Sequence, residues 1–435
     1  MDKPSPFLRS TKIALWLYFW LLLFEGILRK WIIPQWSDYV FIARDPLVLL
    51  TYVLAWRAGV FPRRPAMAAV WLLAVVSLAF SLASDAPFVV TLFGLRTDFL
   101  HLPLIFVMEA AMTRDDVLRF GRWFMLTSIP IVLLMVIQFN AKPDSIWNVG
   151  AGAVETGQIW GAMDKIRPPG PFSFIAGAVC YFSLLAAFVC HGWLSPRQVS
   201  LPLLILASLA LVVAAPISIS RSLSIALAIV VLFALASVAR DFRRIPRLLG
   251  PLMAGFACLV SAGDTVYVRA FFTRWDDALG GDNAGFYGSV VTRIGDLFRQ
   301  PFELAANAPW FGHGIGLGTI GGAKLVTGKH VFLLSESELA RIVLELGPLL
   351  GFAFILWRGW LAARMIRQSW GAVTVKADSL PWLIGSASFY NVFCGQWGPA
   401  TQLGFAVLGA GLTLAALREP VDLDAEDVLE GEAVG

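Results

Sequence analysis

Long apolar stretches follow one another along almost the whole chain, separated by short polar segments. A helix needs about 20 mainly apolar residues to cross a bilayer, and about twelve stretches approach that length. They lie near residues 12–28, 42–60, 66–84, 88–112, 119–139, 170–190, 198–218, 222–239, 247–265, 331–357, 380–395 and 399–417. The pattern predicts an all-α, polytopic integral membrane protein with about twelve transmembrane helices.

The fourth stretch, 88–112, is interrupted by Arg96, Asp98 and His101. Ionisable side chains inside a span are costly and face the interior of a bundle or a wet cavity. We therefore expect this segment to be tilted, broken or re-entrant.

Basic residues collect at alternate ends of the apolar stretches, and the positive-inside rule turns this bias into an orientation. Lys3, Arg9 and Lys12 precede the first span, which places the N-terminus in the cytoplasm. Counting forward places the other basic clusters inside as well, namely Arg57/Arg63/Arg64, Arg114/Arg119/Arg122, Arg240/Arg243/Arg244/Arg247 and Arg358/Arg364/Arg367/Lys376. Both termini are then predicted to be cytoplasmic.

Two connections on the outer side are long, residues 140–168 and residues 266–330, the latter between the ninth and tenth spans. We expect one membrane domain over residues 1–418 that contains 266–330 as its large outer loop. Residues 419–435 are rich in Asp and Glu, and such a segment is predicted to be a disordered, solvated cytoplasmic tail.

The composition agrees with a membrane protein and not with a soluble one: 58% of residues are hydrophobic, 15% are charged, and the mean hydropathy is +0.72. Cys180, Cys190, Cys258 and Cys394 lie in or at the edges of apolar spans without paired spacing. We expect them to be small buried side chains rather than disulfides or metal ligands. We also expect no metal, cofactor or nucleic-acid partner.

The stretch APWFGHGIGLGT, residues 308–319, is rich in glycine. Backbone N–H groups next to Gly312, Gly314 and Gly316 could approach a phosphate closely. The Lys-Ser or Lys-Thr pair of a nucleotide-binding loop is missing, and the loop is predicted to face outward, so a lipid phosphate is the expected ligand. The alternative is a tight turn before the next helix.

The larger outer loop carries an excess of arginine, namely Arg269, Arg274, Arg293 and Arg299. Outward-facing arginines run against the topological bias and favour an anionic ligand. The alternative is a set of ion pairs with the acidic residues of the same loop, Asp276, Asp277 and Asp296.

Two further arginines flank apolar spans on the outer side. Arg221, in APISISRSLSIAL, could donate bidentate hydrogen bonds to a phosphate, or it could be a snorkelling arginine in a turn between helices. Arg167, in KIRPPGPFSFIAG, could reach the same outer cavity as a substrate contact, or it could anchor the chain at the interface.

The tenth span, HVFLLSESELARIVLELGPLLGF, contains Glu338, Arg341 and Glu345 at spacings of three and four residues, which places them on one helix face. An ion-pair ladder that holds the bundle together is expected for Arg341 and Glu345. Glu336 and Glu338 lie nearer the outer end and are the better candidates for substrate contact.

Near the first two spans, four charged residues, Glu25, Arg29, Arg44 and Asp45, could pair with one another, and we assign them a structural role.

Several of these motifs together resemble the bacterial O-antigen ligase and O-antigen polymerase family, which includes exopolysaccharide polymerases. The resemblance rests on RPPGPFSFIAG, SISRS, TRIGDLF, APWFGHGIGLGT and ESELARIVLELGPLLG, in this order, and on the large loop between the ninth and tenth spans. It covers most of residues 160–360.

The resemblance implies a fold similar to the membrane glycosyltransferase C superfamily and a location in the bacterial inner membrane, with residues 266–330 in the periplasm. It implies transfer of a glycan from undecaprenyl pyrophosphate to a hydroxyl of a glycan or lipid acceptor, without a metal or a nucleotide sugar. Family arginines that contact the pyrophosphate map onto Arg221 and Arg293. Membrane lipids and other polysaccharide-assembly proteins are the further partners it suggests.

The sequence departs from the ligases at the proton acceptor. A His-Asn pair precedes the family's Glu-x-Gly, which matches Glu345 and Gly347, whereas Glu336 and Ser337 stand at that place here. We expect Glu336 to be the general base, as a partly buried carboxylate with a raised pKa. His330, slightly earlier in the chain, is the alternative.

Three rival interpretations remain. Peptidoglycan polymerases share a glycine-rich turn before a late acidic helix, but they require an essential outer-loop Asp that cannot be placed here. A transporter or lipid flippase for cell-envelope glycans is the alternative from another class, although the sequence shows no convincing internal repeat. A membrane scaffold would leave the outer arginines unexplained.

Overall fold

The computed structural model describes residues 5–154, 158–239, 242–280 and 285–418, and it describes the side chains of all of these except 242 and 278–294. Within these ranges the chain is all-helical apart from one isolated bridge between Trp160 and Ile166. The helices are α1 (Pro6–Ile27), α2 (Ser37–Phe41), α3 (Arg44–Arg57), α4 (Pro65–Leu82), α5 (Phe88–Leu95), α6 (Leu102–Ala111), α7 (Arg114–Asn140), α8 (Ile175–Leu194), α9 (Leu201–Ile217), α10 (Arg221–Val238), α11 (Ile245–Ser261), α12 (Val266–Gly280), α13 (Gly285–Ala305), α14 (Ile320–Thr327), α15 (Glu338–Lys376), α16 (Leu380–Phe393) and α17 (Ala400–Ala416).

Eight of the described helical segments are long and apolar enough to cross a membrane, or nine if the bent pair α11–α12 forms one span. Helices α9 and α17 are apolar but shorter. Every predicted apolar stretch thus contains helix, and the chain is a multi-pass membrane protein. The total of about twelve spans stays a prediction.

One end of the bundle, here called the terminal end, holds both ends of the described chain. Lys12 of α1 pairs with Asp116 of α7 at 2.5 Å, and Arg114 pairs with Asp378 at 2.6 Å. Arg418 donates to the backbone carbonyls of Ala110 and Met112, at the C-terminal end of α6. The two chain ends therefore lie on the same side of the bundle, whereas the assignment of that side to the cytoplasm stays a prediction.

The opposite end, here called the loop end, holds the connection between α7 and α8 and the long segment between α11 and α15. Asn140 at the end of α7 bonds to Tyr267 at the start of α12 at 3.0 Å. Lys324 of α14 pairs with Asp38 of α2 at 2.8 Å. These contacts fasten the long segment to the bundle.

Residues 266–330 consist largely of helices α12, α13 and α14. Helix α12 bends away from α11 by 93°. Helix α13 lies against the bundle, because Phe302 stacks on Phe352 and Phe298 contacts Phe393 at centroid distances of 4.9 and 6.1 Å. The predicted outer loop is therefore a helical cover over one end of the bundle.

The fourth span is broken, as expected. Residues Arg96–Leu100 form a π-helical turn between α5 and α6, and Asp98 and His101 are buried beside it. A π-turn inserts one extra residue and directs side chains into the bundle at a point where a regular helix would not.

The tenth span, predicted at about 331–357, begins later and is interrupted. Helix starts only at Glu338, and Gly347 interrupts it with φ 77° and ψ 166°. Arg358 Nη1 then lies 2.9 Å from Glu338 Oε1, although 20 residues of straight helix would separate them by about 30 Å. Residues 338–346 form a half-helix that packs back on the long arm, residues 348–376.

This fold-back also changes the place of Arg358. The positive-inside pattern put it in a cytoplasmic cluster, but its side chain is 0% exposed and lies inside the bundle. Pro348 helps to set the turn, because a proline lacks the N–H that would continue the half-helix.

All four cysteines are free. Cys180, Cys190 and Cys394 are buried as expected, but Cys258 is exposed, because α11 lies at the edge of the bundle and buries only Leu248 along its length. The acidic tail, residues 419–435, lies outside the described residues.

Candidate functional site

The glycine-rich stretch crosses the turn between the half-helix and the long arm. Gly312, Gly314 and Gly316 have φ of 70°, 102° and 96°, a region that residues with a Cβ rarely adopt. A Cβ on Gly312 would lie 2.2 Å from the Glu345 carbonyl oxygen. Gly312 needs glycine because it touches the backbone of the half-helix, and Gly316 needs it because a Cβ there would lie 2.4 Å from the Val90 carbonyl oxygen of α5.

The N–H groups of this loop bind acceptors inside the protein. His313 and Gly314 donate to the Leu344 and Glu345 carbonyl oxygens at 2.8 and 3.0 Å, and so cap the C-terminus of the half-helix. Gly318 donates to the Glu345 carboxylate at 2.7 Å.

The anion that the loop binds is therefore a carboxylate of its own chain. Gly312 also donates within the loop, to the Pro309 carbonyl oxygen at 2.9 Å. The predicted phosphate contact of Gly312, Gly314 and Gly316 gains no support from this geometry, and we assign these glycines to the turn and to close packing.

Arg341 lies at the centre of a buried charge network. Its guanidinium donates to Asp98 at 2.9 Å, to both oxygens of Glu338 at 2.9 and 3.0 Å, and to Glu345 at 2.6 Å. The side chains of all four residues are at most 4% exposed. The expected ladder of Arg341 and Glu345 is present, and Asp98 of the π-turn completes it.

Arg358 connects this network to the other side of the bundle. It donates to Glu338 at 2.9 Å and to the Val392 and Gly395 carbonyl oxygens at 2.9 and 2.8 Å. The Trp397 ring lies 3.7 Å from its guanidinium carbon. The half-helix, the long arm and the α16–α17 connection are thereby fixed to one another.

Glu338 was predicted to contact substrate, but it belongs to this network. Its Oε1 accepts hydrogen bonds from Arg341, Arg358 and the Trp397 N–H, and its Oε2 accepts one from Arg341. The carboxylate is 2% exposed. We therefore assign Glu338 to the structure of the turn, because burial leaves it no open side.

A second buried network joins α1, α3 and the π-turn. Glu25 pairs with Arg29 at 3.2 Å and with Arg44 at 3.1 Å, as predicted. Asp45 does not take part in that group, since its partners are Arg96 and His101.

Tyr18 connects the two parts of this second network. Its hydroxyl lies 3.1 Å from His101 Nδ1 and accepts from Arg44 at 3.4 Å. The network is continuous through the interior, which supports the structural role expected for these charges.

The loop end also brings together three arginines from distant parts of the sequence, here called the arginine cluster: Arg167, Arg221 and Arg274. Burial first, and then the charges of Arg274 and Arg221, lower the pKa of Arg167 to about 10. All three side chains are partly buried. Positive charges are thus held together where the solvent screens them only in part.

No carboxylate of the described residues neutralises Arg167 or Arg274 of the arginine cluster. Over the described ranges, the Nε atoms of Arg167 and Arg274 are buried without a hydrogen-bond partner, and neither side chain forms an ion pair. Asp276 and Asp277, the alternative partners, are exposed. Another predicted outer arginine, Arg299, pairs with Glu303.

Arg293, the second family-matched arginine, lies in α13, but its side chain falls outside the described residues. Its approach to Arg221 stays a prediction. Sequence reasoning singled out Arg167 and Arg221 and counted Arg274 among the outer arginines, but no spacing indicated that α12 would bring Arg274 to them.

The two candidates for the proton acceptor lie in the segment that leads to the half-helix. Glu336 is exposed, and its backbone carbonyl accepts from the Gln396 amide at 2.8 Å. His330 is exposed as well. The expected partial burial of Glu336 is wrong, because the half-helix begins only after it.

Among the residues searched, no group of three or more His, Cys, Asp or Glu could hold a metal ion.

Comparison with known proteins adds no relative to this description. No protein-family model matches the chain, and no curated protein matches it. The resemblance to the O-antigen ligases and polymerases therefore stays a prediction that rests on the quoted motifs.

Proposed function

We propose that this protein transfers a glycan from an undecaprenyl-pyrophosphate carrier to an acceptor hydroxyl, in the polymerisation or ligation of a surface polysaccharide such as O-antigen or exopolysaccharide. The reaction would take place at the loop end, on the periplasmic face of the bacterial inner membrane. The observation that carries the proposal is the arginine cluster, with its buried Nε atoms that lack a partner among the described residues.

A pyrophosphate ester suits this cluster chemically. Guanidinium groups donate two parallel hydrogen bonds to phosphate oxygens, and three of them match the charge of a diphosphate better than a single cation would. Burial weakens screening, so the cluster would stabilise the negative charge that grows on the leaving pyrophosphate. Such preorganised donors are worth about 3–4 kcal/mol each in other enzymes.

The remaining roles follow the motif match. Arg221 and Arg293 would bind the pyrophosphate, joined by Arg167 and Arg274. Glu336 would accept the proton of the attacking hydroxyl, with His330 as the alternative, and help of this kind is worth about 10²–10⁴-fold. An exposed Glu336 is open to an acceptor chain that arrives from water.

Charge-conserving substitutions test the arginine cluster. In transfer assays with purified lipid-linked donor, Arg167→Lys, Arg221→Lys and Arg274→Lys should each lower turnover about 10–100-fold, because lysine cannot replace a bidentate contact. Arg269→Lys is the matched control, since Arg269 lies on the same helix as Arg274 but is exposed. Full activity of all three cluster variants would refute the assignment.

The proton acceptor needs its own comparison. Glu336→Gln should lower turnover while donor binding is retained, and His330→Gln should have the smaller effect. An inactive His330 variant beside an active Glu336 variant would reverse the two roles.

The transporter or flippase alternative also has one specific observation in its favour. The bundle contains a π-broken helix and a half-helix joined by buried charges, and discontinuous helices of this kind are typical of transporters. Proteoliposomes that contain lipid-linked donor, supplied with acceptor, separate the two functions. Movement of donor between leaflets without a new glycosidic bond, in the presence of acceptor, would favour transport.

A further inference from the structure

The buried network around Arg341 contains more carboxylates than arginines. Its five side chains are at most 4% exposed. They are three carboxylates and two guanidinium groups, namely Asp98, Glu338, Glu345, Arg341 and Arg358. If every group were ionised, the network would carry one uncompensated negative charge. Such a charge in the interior of a membrane protein is costly, because neither water nor a cation balances it.

Glu338 takes the largest share of the hydrogen-bond donors in this network. Its two oxygens accept from both arginines and from the Trp397 N–H. A carboxylate between two cations, with donors on both oxygens, is stabilised in its ionised form. Glu338 therefore balances one of the two arginines.

Asp98 and Glu345 are left to share the other arginine. Arg341 donates through Nη1 to both of them, to Glu345 Oε2 at 2.6 Å and to Asp98 Oδ2 at 3.3 Å. These two oxygens therefore lie within about 6 Å of each other. The remaining donors of Arg358 bind backbone carbonyl oxygens at and just after the C-terminal end of α16. Two carboxylates this close, in a site without water, repel each other strongly when both are ionised.

We propose that Asp98 and Glu345 bind one proton between them, so that the network around Arg341 is electrically neutral. The proton joins two broken helices, since Asp98 belongs to the π-turn and Glu345 to the half-helix. The C-terminal end of the half-helix disfavours an anionic Glu345, whereas the Gly318 N–H, which donates to it at 2.7 Å, favours one. The proton therefore belongs to the pair and not to one oxygen.

The other ionisable groups on the surrounding elements do not balance the pair. Helix α4 contains none, and His313 of the glycine-rich loop is exposed. Arg96 and His101 of the neighbouring turn both contact Asp45 instead. Burial raises the pKa of the Cys394 thiol to about 12, so this group carries no charge at neutral pH.

The second buried network has the opposite excess, three arginines against two carboxylates. Among the described residues, no ion pair joins it to the network around Arg341. Two of its arginines, Arg29 and Arg96, have side chains that are 13% and 15% exposed. Water solvates their charge in part, so this excess does not replace a proton inside the sealed network.

Infrared spectroscopy of the purified full-length protein tests the proposal, because a protonated carboxylic acid has a C=O stretching band separate from those of carboxylates and amides. The unmodified protein should show this band at neutral pH, and the band should fade as the pH is raised. Glu345→Gln and Asp98→Asn should each lose it, because the remaining carboxylate then has Arg341 to itself. Asp38→Asn removes an exposed carboxylate that pairs with Lys324, and this control should keep the band.

Two spectroscopic results would overturn the proposal. One is an unmodified protein without the band at neutral pH. The other is a band that survives both single substitutions, since the protonated group would then lie elsewhere in the protein.

Thermal unfolding in detergent gives an independent test, because the proposal fixes the charge of each variant. Either single amide leaves two carboxylates for two arginines, so each variant should unfold within a few degrees of the unmodified protein. The double variant, Asp98→Asn with Glu345→Gln, leaves one carboxylate for two arginines. It should lose far more stability than the two single losses combined. Additive losses, or the failure of both single variants to fold, would contradict the shared proton.

Discussion

Arginine side chains have opposite surroundings in the arginine cluster and in the network around Arg341. In the network, Arg341 donates to three buried carboxylates. In the cluster, Arg167 and Arg274 are partly buried beside another arginine and pair with no described carboxylate. A buried charge with all its partners holds elements together, whereas basic groups collected without a counter-charge are suited to bind an anion from outside.

The largest loss of stability should come from replacing Arg341 at the centre of its buried network. Arg341→Met leaves Asp98, Glu338 and Glu345 with only Arg358 to balance them. Loss of one partner from a buried ion pair costs about 3–5 kcal/mol, so thermal unfolding in detergent should shift strongly downward and membrane protein levels should fall. Arg341→Lys keeps the charge and should lose less thermal stability. Equal stability of Arg341→Met and the unmodified protein would contradict the structural role of the network.

The glycine turn gives the next largest effect and has a close control. Gly312 and Gly328 have nearly equal φ, 70° and 72°, but only Gly312 has backbone within reach of an added Cβ. Gly328→Ala should cost about 1 kcal/mol from the unfavourable φ alone. Gly312→Ala adds a collision with the half-helix and should cost about 3 kcal/mol in total. Similar losses for both variants would show that packing against the half-helix is unimportant.

The ion-pair ladder and the fold-back at Gly347 differ in how far the sequence could predict them. The periodic Glu338, Arg341 and Glu345 indicated an ion-pair ladder, because spacing on one helix is local information. The fold-back at Gly347 was not predicted, because the Gly347-Pro348 pair is a local signal for a break but does not specify how far the chain turns after it. Its stability depends on Arg358 meeting Glu338, a contact that exists only after the chain has turned.

The arginine cluster could be predicted only in part for a related reason. Arg167 and Arg221 attracted notice because each borders an apolar span in a polar motif. Arg274 joins them because α12 bends by 93° after α11, and no local pattern in the sequence specifies that angle. The helical content was predicted well, because apolar runs of spanning length determine it residue by residue.

A smaller effect, the stabilisation of the protein by a bound anion, should distinguish the arginine cluster from the network around Arg341. Inorganic pyrophosphate should raise the unfolding temperature of the unmodified protein, and a concentration of about 100 times its Kd would correspond to about 2.7 kcal/mol. Arg274→Gln should lose most of this protection and keep its own stability, since the change also removes a repulsive charge. Arg269→Gln serves as the control. Equal protection of both variants would place the anion elsewhere.

The smallest effect should come from an ion pair that has the geometry of the buried network but not its burial. Lys324 and Asp38 are 2.8 Å apart, while their side chains are 37% and 76% exposed. Water solvates either partner once the other is removed, so Lys324→Ala should cost less than about 1 kcal/mol in thermal unfolding. Asp38→Ala should behave alike, and 0.5 M salt should erase the difference from the unmodified protein. A loss near that of Arg341→Met would mean that burial is not what separates the two kinds of ion pair.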